Sequence, residues 1–218
     1  AEIKYEKPLK LQPDPEQVRK AVDMLTKAEQ PVIFAGGGIM WSGASKELIE
    51  LAELLNAPVT TSLLGKGTIP EDHPLALGML GMHGRMAANT AVTESDILLA
   101  VGVRFSDRST ADVRYFAPKA KIIHIDIDPV EIGKNVRVDL PIIGDAKRSL
   151  AAIIKELRSR AKRGRASRWL ERVKKLRKEF APRMDYDEVP IKPQRAIKEI
   201  QGVLDENAII VTEVGQCQ

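Results

Sequence analysis

The chain is poor in cysteine and has no long apolar stretch. Its single cysteine, Cys217, excludes a framework of internal disulfides and fits a reducing compartment. No apolar run approaches the roughly 18 residues that a membrane-spanning helix needs, and the first residues, AEIKYEKPLK, lack the apolar core of a secretory signal. The composition, 44% hydrophobic and 29% charged, is typical of a folded globular protein. We therefore expect a cytoplasmic protein with no membrane partner.

Signals for several enzyme classes are also missing. The three histidines are scattered along the chain, so we expect no metal site, and no nucleophile elbow occurs. The glycine fingerprint of NAD-dependent dehydrogenases is interrupted by Trp41. The strand that should end in an acidic residue ends instead in Thr61 and Ser62. A dehydrogenase is therefore disfavoured.

The net charge of +4 is concentrated in one segment. Residues 155–178 contain twelve Lys or Arg against Glu156 and Glu171, a local balance of +10, which leaves −6 on the rest of the chain. Such a segment fits either a nucleic-acid surface or a solvated or subunit-facing pair of helices. Trp169 is the only aromatic residue among these charges, and apolar residues recur at helical spacing: Leu157, Leu170, Val173, Leu176 and Phe180. The helical pair is favoured, and we expect no nucleic-acid partner.

The segment 31–38, PVIFAGGG, is the most informative stretch of the sequence. An apolar run of this length closed by glycine is typical of a buried strand that enters a tight turn. Three glycines weaken helix and strand alike, because each costs about 0.5–1 kcal/mol of backbone entropy relative to alanine. We infer that something must need the bare backbone here. A phosphate-bearing cofactor, followed by a helix over 42–55, is one interpretation, and a flexible turn beside a packed strand is the other.

Helix and strand patterns alternate around this segment. Asp14, Pro15 and Gln17 form a helix-start signal of capping carboxylate, first-turn proline and capping-box partner. Apolar residues of the two flanking helices then recur at helical spacing: Val18, Ala21, Val22 and Leu25, and Leu48, Leu51, Ala52 and Leu55. Asn56 ends the second helix, and a strand follows over 58–62. Two successive β-α units predict a parallel sheet with right-handed crossovers.

Three later strands end at glycine or a carboxylate. Apolar runs over 97–101, 121–127 and 141–146 reach Gly102, Asp126 with Asp128, and Gly144 with Asp145, respectively, and a helix over 86–92 precedes the first run. Open α/β sheets bind ligands outside the carboxyl ends of their strands, where carboxylates accept hydrogen bonds from ribose hydroxyls. This convergence predicts a nucleotide site, although the two aspartates near the second run are also typical helix caps.

Two loops carry further candidate groups. Arg104, Asp107 and Arg108 follow the run over 97–101, and arginine offers a planar fork of donors for phosphate or ribose. A salt bridge between subunits is the alternative for these residues. The irregular segment 63–84 ends in Gly81-Met82-His83-Gly84, which is typical of a turn that touches a cofactor. For His83 an ordinary surface loop is an equal alternative.

In combination, these motifs resemble one family. AGGG at 35–38, LGMHG at 80–84, GVRFSDR at 102–108, HIDIDPVEIGKN at 124–135 and GD at 144–145 closely resemble the central domain of acetolactate synthase catalytic subunits. These are thiamine-diphosphate enzymes of branched-chain amino acid (isoleucine and valine) biosynthesis. AIIVTEVGQCQ at 208–218 is similar to the first strand and thiamine-diphosphate loop of the next domain in that family.

The resemblance implies a fold and its divisions. The fold is an α/β domain with a parallel, six-stranded, Rossmann-like and doubly wound sheet flanked by helices, followed by basic helices and a truncated start of another domain. The expected divisions are a linker over 1–13, the central FAD- or nucleotide-binding domain over 14–163, a basic helix and linker over 164–192, and the start of the thiamine-diphosphate domain over 193–218.

The resemblance also implies contacts to FAD bound in an extended pose with a structural role. By position in the motifs they are Gly36, Gly37, Gly38, Thr61, Ser62, Leu63, Leu80, Gly81, Met82, His83, Gly102, Val103, Arg104, Asp126, Ile127, Asp145 and Ala146. Asp107 and Arg108 match a pair at the mouth of the family's active site. Gln216 and Cys217 match the thiamine loop. Ser106 and Cys217 depart from the family, which has aspartate and commonly histidine at these positions.

A parent enzyme of this family condenses two pyruvates, or pyruvate with 2-ketobutyrate, with loss of CO2. It uses thiamine diphosphate, Mg2+ and FAD. We expect the present chain to hold no catalytic residue and to be inactive alone. Expected partners are other domains of the same enzyme, further copies in a homo-oligomer and a regulatory small subunit. The alternatives are a sister enzyme of the oxalyl-CoA decarboxylase or pyruvate oxidase type, whose central domain binds ADP or FAD, and a free-standing nucleotide-binding or scaffold module.

Overall fold

The structure, a computed structural model, describes residues 10–160, 168–205, 207–212 and 215. The chain divides into two compact units, Ala1–Phe180 and Ala181–Gln218. The expected divisions at 13, 163 and 192 are finer than this and stay predictions. Among the described residues of the second unit there is one helix, Pro193–Val203, which exposes its apolar residues Ile197, Ile200 and Val203.

A parallel sheet lies at the centre of the first unit. Its strands are β1 (Pro31–Ala35), β2 (Val59–Thr61), β3 (Ala76–Met79), β4 (Ile97–Val101), β5 (Lys121–Asp126) and β6 (Leu140–Ile143). Their order across the sheet is β3-β2-β1-β4-β5-β6, and all neighbours pair in parallel. Every residue of β1 and β4 is buried, as expected for central strands covered on both faces. The predicted six-stranded parallel α/β fold is confirmed.

Helices cover both faces of this sheet. They are α1 (Pro15–Lys27), α2 (Gly37–Ser42), α3 (Ser45–Leu55), α4 (Met86–Glu94), α5 (Asp107–Thr110), α6 (Ala146–Ser159) and α7 (Arg168–Glu179), with a 3-10 turn at Leu63–Gly65. The Asp14 carboxylate caps α1 by accepting from the Glu16 N–H at 2.7 Å. The predicted capping box does not form, because the Gln17 side-chain oxygen has no hydrogen-bond partner among the described residues.

Two sequence-based element predictions are corrected. The helix predicted over 42–55 is two helices, because Gly43 adopts φ of 65° and ends α2, so that α3 begins at Ser45. The first of these helices starts at Gly37, directly after the glycine turn. The segment 63–84 also contains β3, a strand that sequence analysis missed. Gly78 within it has φ of 81°, which interrupts the usual strand pattern.

Two apolar clusters lie on opposite faces of the sheet. Ile33, Leu99 and Ile123 face α1, α3 and α6. On the other face, Phe34 and Leu98 pack with residues of α4 and α7. The alternation follows from strand geometry, which points successive side chains to opposite faces.

The basic segment packs against the domain. The predicted apolar helix residues Leu157, Val173 and Leu176 are buried, and the Trp169 indole N–H donates to the Pro31 carbonyl oxygen at 3.0 Å. Many of its cations face acidic residues: Arg158 with Glu50 at 3.0 Å, Arg172 with Glu94 at 2.6 Å, and Arg160 with Asp23 and Glu156. The predicted helix faces are confirmed, while residues 161–167 lie outside the described part of the chain.

Among the residues that the structure describes, no helix has the length and apolar character to cross a bilayer.

Candidate functional site

A groove runs along the carboxyl edge of the sheet. From β1 the chain moves outward to β2 and β3, then returns to β4 and continues outward in the other direction to β5 and β6. Such a reversal opens a crevice between the loops after the two central strands, here β1 and β4. A cavity of about 970 Å³ lies at this edge and is lined by loops that follow β1, β2, β4, β5 and β6. The fold thus has a groove at the edge of the sheet where the strand-end glycines and carboxylates predict a nucleotide site, and the binding of a ligand there stays a prediction.

The glycines at the centre of the groove pack against each other. A Cβ on Gly36 would lie 2.0 Å from the Gly102 carbonyl oxygen, and one on Gly38 would lie 2.6 Å from the Gly102 Cα atom. Gly102 itself has φ of 59° and accepts a hydrogen bond from the Gly38 N–H at 3.2 Å. The neighbour that needs bare backbone at Gly36 and Gly38 is therefore the loop after β4, so a cofactor is not required to explain these two glycines.

Most of the predicted FAD contacts line this groove. They are Gly37, Gly38, Ser62, Leu63, Gly102, Val103, Arg104, Asp126, Ile127, Asp145 and Ala146, together with Arg108. The remaining described candidates lie outside its lining: Gly36, Thr61, Leu80, Gly81, Met82, His83 and Asp107. Gln216 and Cys217 lie outside the described residues.

Arg104 places an exposed cation at the groove. Its side chain is exposed and forms no ion pair or hydrogen bond with the described residues, while its carbonyl oxygen accepts from the Asn135 side-chain amide at 2.8 Å. This hydrogen bond holds the backbone of Arg104 in place, and its guanidinium group remains free to bind a ligand in the groove. Lys10 and Arg108 also line the groove. A phosphate group would meet a cationic region at the end of β4.

Carboxylates border the groove beyond Arg104. The Asp126 side chain accepts from the Asp128 N–H at 3.0 Å, and the Asp128 side chain accepts from the Val130 N–H at 2.9 Å. Asp145 caps α6 by accepting from the Arg148 N–H at 3.1 Å. The helix-cap alternative for Asp126 and Asp128 is wrong, because no helix lies between β5 and β6 among the described residues and each of these carboxylates accepts from a backbone N–H two residues on within a turn. Burial raises the pKa of Asp126 above its ordinary value.

A buried histidine supports the groove from behind. His124 has no exposed surface, its Nε2 donates to the Val103 carbonyl oxygen at 2.9 Å, and its ring lies edge-on to Phe105 at 5.0 Å between centroids. Its Nδ1 has no hydrogen-bond partner among the described residues. Burial lowers the pKa of His124, although the Asp126 carboxylate 3.8 Å away opposes the shift. The histidine is therefore a neutral structural group rather than a ligand contact.

Several of the other predicted contacts form a second cluster beside the groove. The Met82 N–H donates to the Arg108 carbonyl oxygen at 3.0 Å, and the Arg108 guanidinium donates to the Asp107 carboxylate at 3.0 Å and lies 4.0 Å from the Met82 sulfur. Gly81 has φ of 108°, and a Cβ there would lie 2.0 Å from the Arg108 carbonyl oxygen. Leu80, Gly81 and Met82 line a separate cavity of about 290 Å³, and His83 is exposed. Arg108 thus joins the two loops at the edge of the groove.

Sequence analysis missed several residues of the groove wall, including two large apolar side chains. Trp41 is 89% exposed and Leu64 is 64% exposed, and both line the groove. In the sequence, Trp41 is evident only as a break in a glycine fingerprint. The sequence signal for Trp41 was its position, because a large aromatic residue three positions after a run of glycines lies close to the bare backbone of the groove. Among the described residues, no group of three or more His, Cys, Asp or Glu side chains is placed to hold a metal ion.

Comparison with known proteins agrees with the motifs. The profile of the family described as "Thiamine pyrophosphate enzyme, central domain" matches residues 18–153. Probable acetolactate synthase large subunits of Methanocaldococcus jannaschii and Methanococcus aeolicus are 57% identical over 210 residues and 52% identical over 217 residues. The acetolactate synthase large subunit of Corynebacterium glutamicum is 43% identical over 210 residues.

These alignments cover most of the chain but only part of each relative. Each covers 94% of the present chain, and 35%, 36% and 33% of the three relatives, respectively. The chain therefore spans about a third of the length of the curated relatives that it matches. The expected similarity to acetolactate synthase large subunits is confirmed. Because the family profile matches residues 18–153, which include the parallel sheet with its glycine turns and strand-end carboxylates, the chain belongs to the thiamine pyrophosphate enzyme central-domain family.

Proposed function

We propose that the groove binds FAD in an extended pose, as a structural cofactor of an acetolactate synthase. The observation that carries this proposal is one continuous groove with a cationic middle and a carboxylate-lined end. Its volume, about 970 Å³, is at the upper end of the roughly 300–1,000 Å³ of ligand pockets. A dinucleotide has the matching sequence of a flat ring, a diphosphate and an adenosine with ribose hydroxyls.

The diphosphate fits the end of β4. Gly38 and Gly102 expose backbone rather than side chains to the groove. Arg104 lies beside them, and its guanidinium has no ion-pair or hydrogen-bond partner among the described residues. Guanidinium groups bind phosphate oxygens through charge-assisted hydrogen bonds. The close approach of the two glycine loops therefore brings a phosphate within reach of the arginine.

The adenosine fits the ends of β5 and β6. One carboxylate oxygen of Asp126 and one of Asp128 accept hydrogen bonds from backbone N–H groups, so the second oxygen of each can accept from a ribose hydroxyl. Ile127, which is 50% exposed, offers an apolar surface between them. Asp145, with 5% exposure, acts mainly through its cap of α6.

The flavin portion would then lie at the end of the groove opposite the adenosine. Ser62 and Leu63 line that end, where the Ser62 hydroxyl caps the 3-10 turn by accepting from the Gly65 N–H at 3.1 Å. The second cluster, with Met82, Asp107 and Arg108, lies beside it. We propose that in the parent this cluster borders the path of the keto-acid substrate.

The parent reaction is the condensation of two pyruvates, or of pyruvate with 2-ketobutyrate, in branched-chain amino acid biosynthesis. Thiamine diphosphate with Mg2+, held by other domains, supplies the decarboxylation chemistry. The residues of this chain bind and orient: they fix the flavin and shape the mouth of the site. We propose that the chain alone makes no acetolactate, and that its partners are the other domains, further copies of the enzyme and a regulatory small subunit, in the cytoplasm.

Titration of the 218-residue chain with FAD tests this function. We expect a saturable yellow complex by absorbance and equilibrium dialysis, and competition by ADP because both ligands share the diphosphate and adenosine. Incubation with pyruvate, thiamine diphosphate, Mg2+ and FAD should give no acetolactate above the buffer blank. Absence of FAD binding at any soluble concentration would refute the proposed cofactor site, and turnover would refute the supporting role of the chain.

A further inference from the structure

Trp41 is an exposed indole on the wall of the groove. It lies near the end of α2, is 89% exposed and has its side chain at the groove rather than in either apolar cluster. Tryptophan is on average among the more buried residues, since its side chain carries a large apolar area. Neither the motifs nor the matched family description gives this residue a role. Its exposure is explained if a ligand covers it.

The indole faces a leucine across bare backbone. A Cβ built on Gly37 would lie 3.5 Å from the Trp41 Nε1 atom and 3.2 Å from the Leu64 Cβ atom. These two side-chain atoms are therefore at most about 6.7 Å apart. A ring contacted at about 3.5 Å on both faces would need about 7 Å, so a flat ring would lie over the indole and the leucine rather than between them. Trp41, Leu64 and the Gly37 backbone form a slot that is open to the groove. We call it the Trp41–Leu64 slot.

We propose that the Trp41–Leu64 slot holds the flavin ring by stacking on the Trp41 indole. This inference rests on the proposed function, because that function sets the direction of the ligand. With the diphosphate at Arg104 and the adenosine toward Asp126, the remaining flavin end extends toward the loops after β1 and β2. Those loops carry Gly37, Trp41 and Leu64. Trp41 is thus a ring-positioning residue that distinguishes flavin from smaller nucleotides.

Ligands that carry only one end of FAD give the sharpest test. The 218-residue chain and the variants Trp41→Ala and Trp41→Phe are titrated with FMN, ADP and FAD. Loss of an aromatic stacking partner should weaken FMN and FAD on the order of tenfold, while ADP affinity stays within about twofold. Trp41→Phe keeps a stacking surface and should recover most of the affinity. Met40→Ala is the matched control, because Met40 is the preceding exposed residue of α2 and does not line the groove.

A steric variant and an optical signal give independent readouts. Gly37→Ala places a methyl group on the floor of the slot without a backbone clash, since only side-chain atoms of Leu64 and Trp41 lie within 3.5 Å. We expect this variant to fold and to lose FMN as Trp41→Ala does. Bound flavin stacked on an indole also loses emission through electron transfer, so emission should return in Trp41→Phe. Circular dichroism and thermal melting confirm that each variant is folded.

The outcomes separate the two proposals. If the wild-type chain binds FAD and Trp41→Ala binds FMN and FAD with unchanged affinity, the slot is wrong and the proposed cofactor site stands. Weakening of ADP in place of FMN overturns the flavin assignment, because the slot would then hold adenine. If the wild-type chain binds no FAD, both proposals fall together.

Discussion

At the scale of single residues, Arg104 is the clearest test of the diphosphate site. Removal of its guanidinium should weaken FAD and ADP alike, because both carry the diphosphate. A charge-assisted contact is worth about 1.5–3 kcal/mol, so we expect Arg104→Ala to cost on the order of tenfold to a hundredfold in dissociation constant. The thermal midpoint should stay nearly the same, since the exposed side chain forms no ion pair or hydrogen bond with a described residue. Titration of both ligands measures the effect.

Arg137→Ala is the control for this change. Arg137 is 90% exposed, lies outside the groove and is 3.9 Å from its nearest carboxylate partner, Asp139. Arg137→Ala removes the same positive charge as Arg104→Ala, but from a position outside the groove. Equal weakening by the two variants would show that the net charge of the chain, and not a contact at Arg104, governs affinity.

His124 makes stability depend on pH. Burial lowers its folded-state pKa below the 6.5 of an exposed histidine, so the unfolded chain takes up the proton first as the pH falls. The stability associated with His124 is therefore complete above about pH 6.5 and is lost as the pH falls below it, by at most about 1.4 kcal/mol per pH unit. Urea unfolding at a series of pH values should show this decline.

The variant His124→Gln isolates this effect. Glutamine can still donate to the Val103 carbonyl oxygen but takes no proton, so its stability curve should be flatter than that of the wild type below pH 6.5. Asp126 has the opposite sign, because burial raises its folded-state pKa above 3.8 and its contribution is lost as the pH rises through that range. Parallel curves for wild type and variant would exclude His124 as the source.

At the scale of elements, contact between the loops after β1 and β4 should limit the stability of the fold. A methyl group on Gly38 would lie 2.6 Å from the Gly102 Cα atom, so Gly38→Ala must push two backbones apart. Overpacking of this kind costs about 1–3 kcal/mol, and we expect a matching fall in the free energy of unfolding. A methyl group on Gly37, one residue away, would lie 3.2 Å from its nearest neighbour, the Leu64 Cβ atom, so Gly37→Ala should lose much less stability. Equal losses in both variants would contradict the packing argument.

The central strands could be predicted because their signal is local. β1 and β4 are buried on both faces, and so each is a continuous apolar run that ends at glycine. β3 gave no such signal, since Gly78 interrupts it and its place in the sheet comes from pairing with β2. The break at Gly43 was missed for a similar reason: the apolar spacing of α3 extends smoothly backward, and only a left-handed backbone residue ends α2 before it.

The groove was predictable in position but not in detail. Strand ends that carry glycine and carboxylate pointed to one edge of the sheet, and that edge holds the cavity. The reason for the glycines could not be read from sequence, because Gly36 and Gly38 meet Gly102 from a distant loop. The separation of Leu80, Gly81 and Met82 into a second cavity is likewise a matter of tertiary packing.

At the scale of the whole molecule, the excess of basic residues should not produce a nucleic-acid-binding protein. Several cations of α6, of its C-terminal cap and of α7 form ion pairs with acidic residues of α3, α1 and α4, respectively. We expect only weak retention on duplex DNA that disappears with modest salt, as for non-specific binding. Filter binding across a salt series measures it. Sequence-selective binding below a micromolar dissociation constant at physiological salt would overturn the assignment to an enzyme domain.

The contact between Trp169 and Pro31 has a consequence for synthesis of the chain. Helix α7 lies far along the sequence, yet it covers the face of the sheet that contains Phe34 and Leu98 and bonds to the first residue of β1. A nascent chain on the ribosome leaves that face only partly covered until Leu176 has emerged. During this interval the central strands expose apolar surface, which is the condition under which growing chains need holdase chaperones.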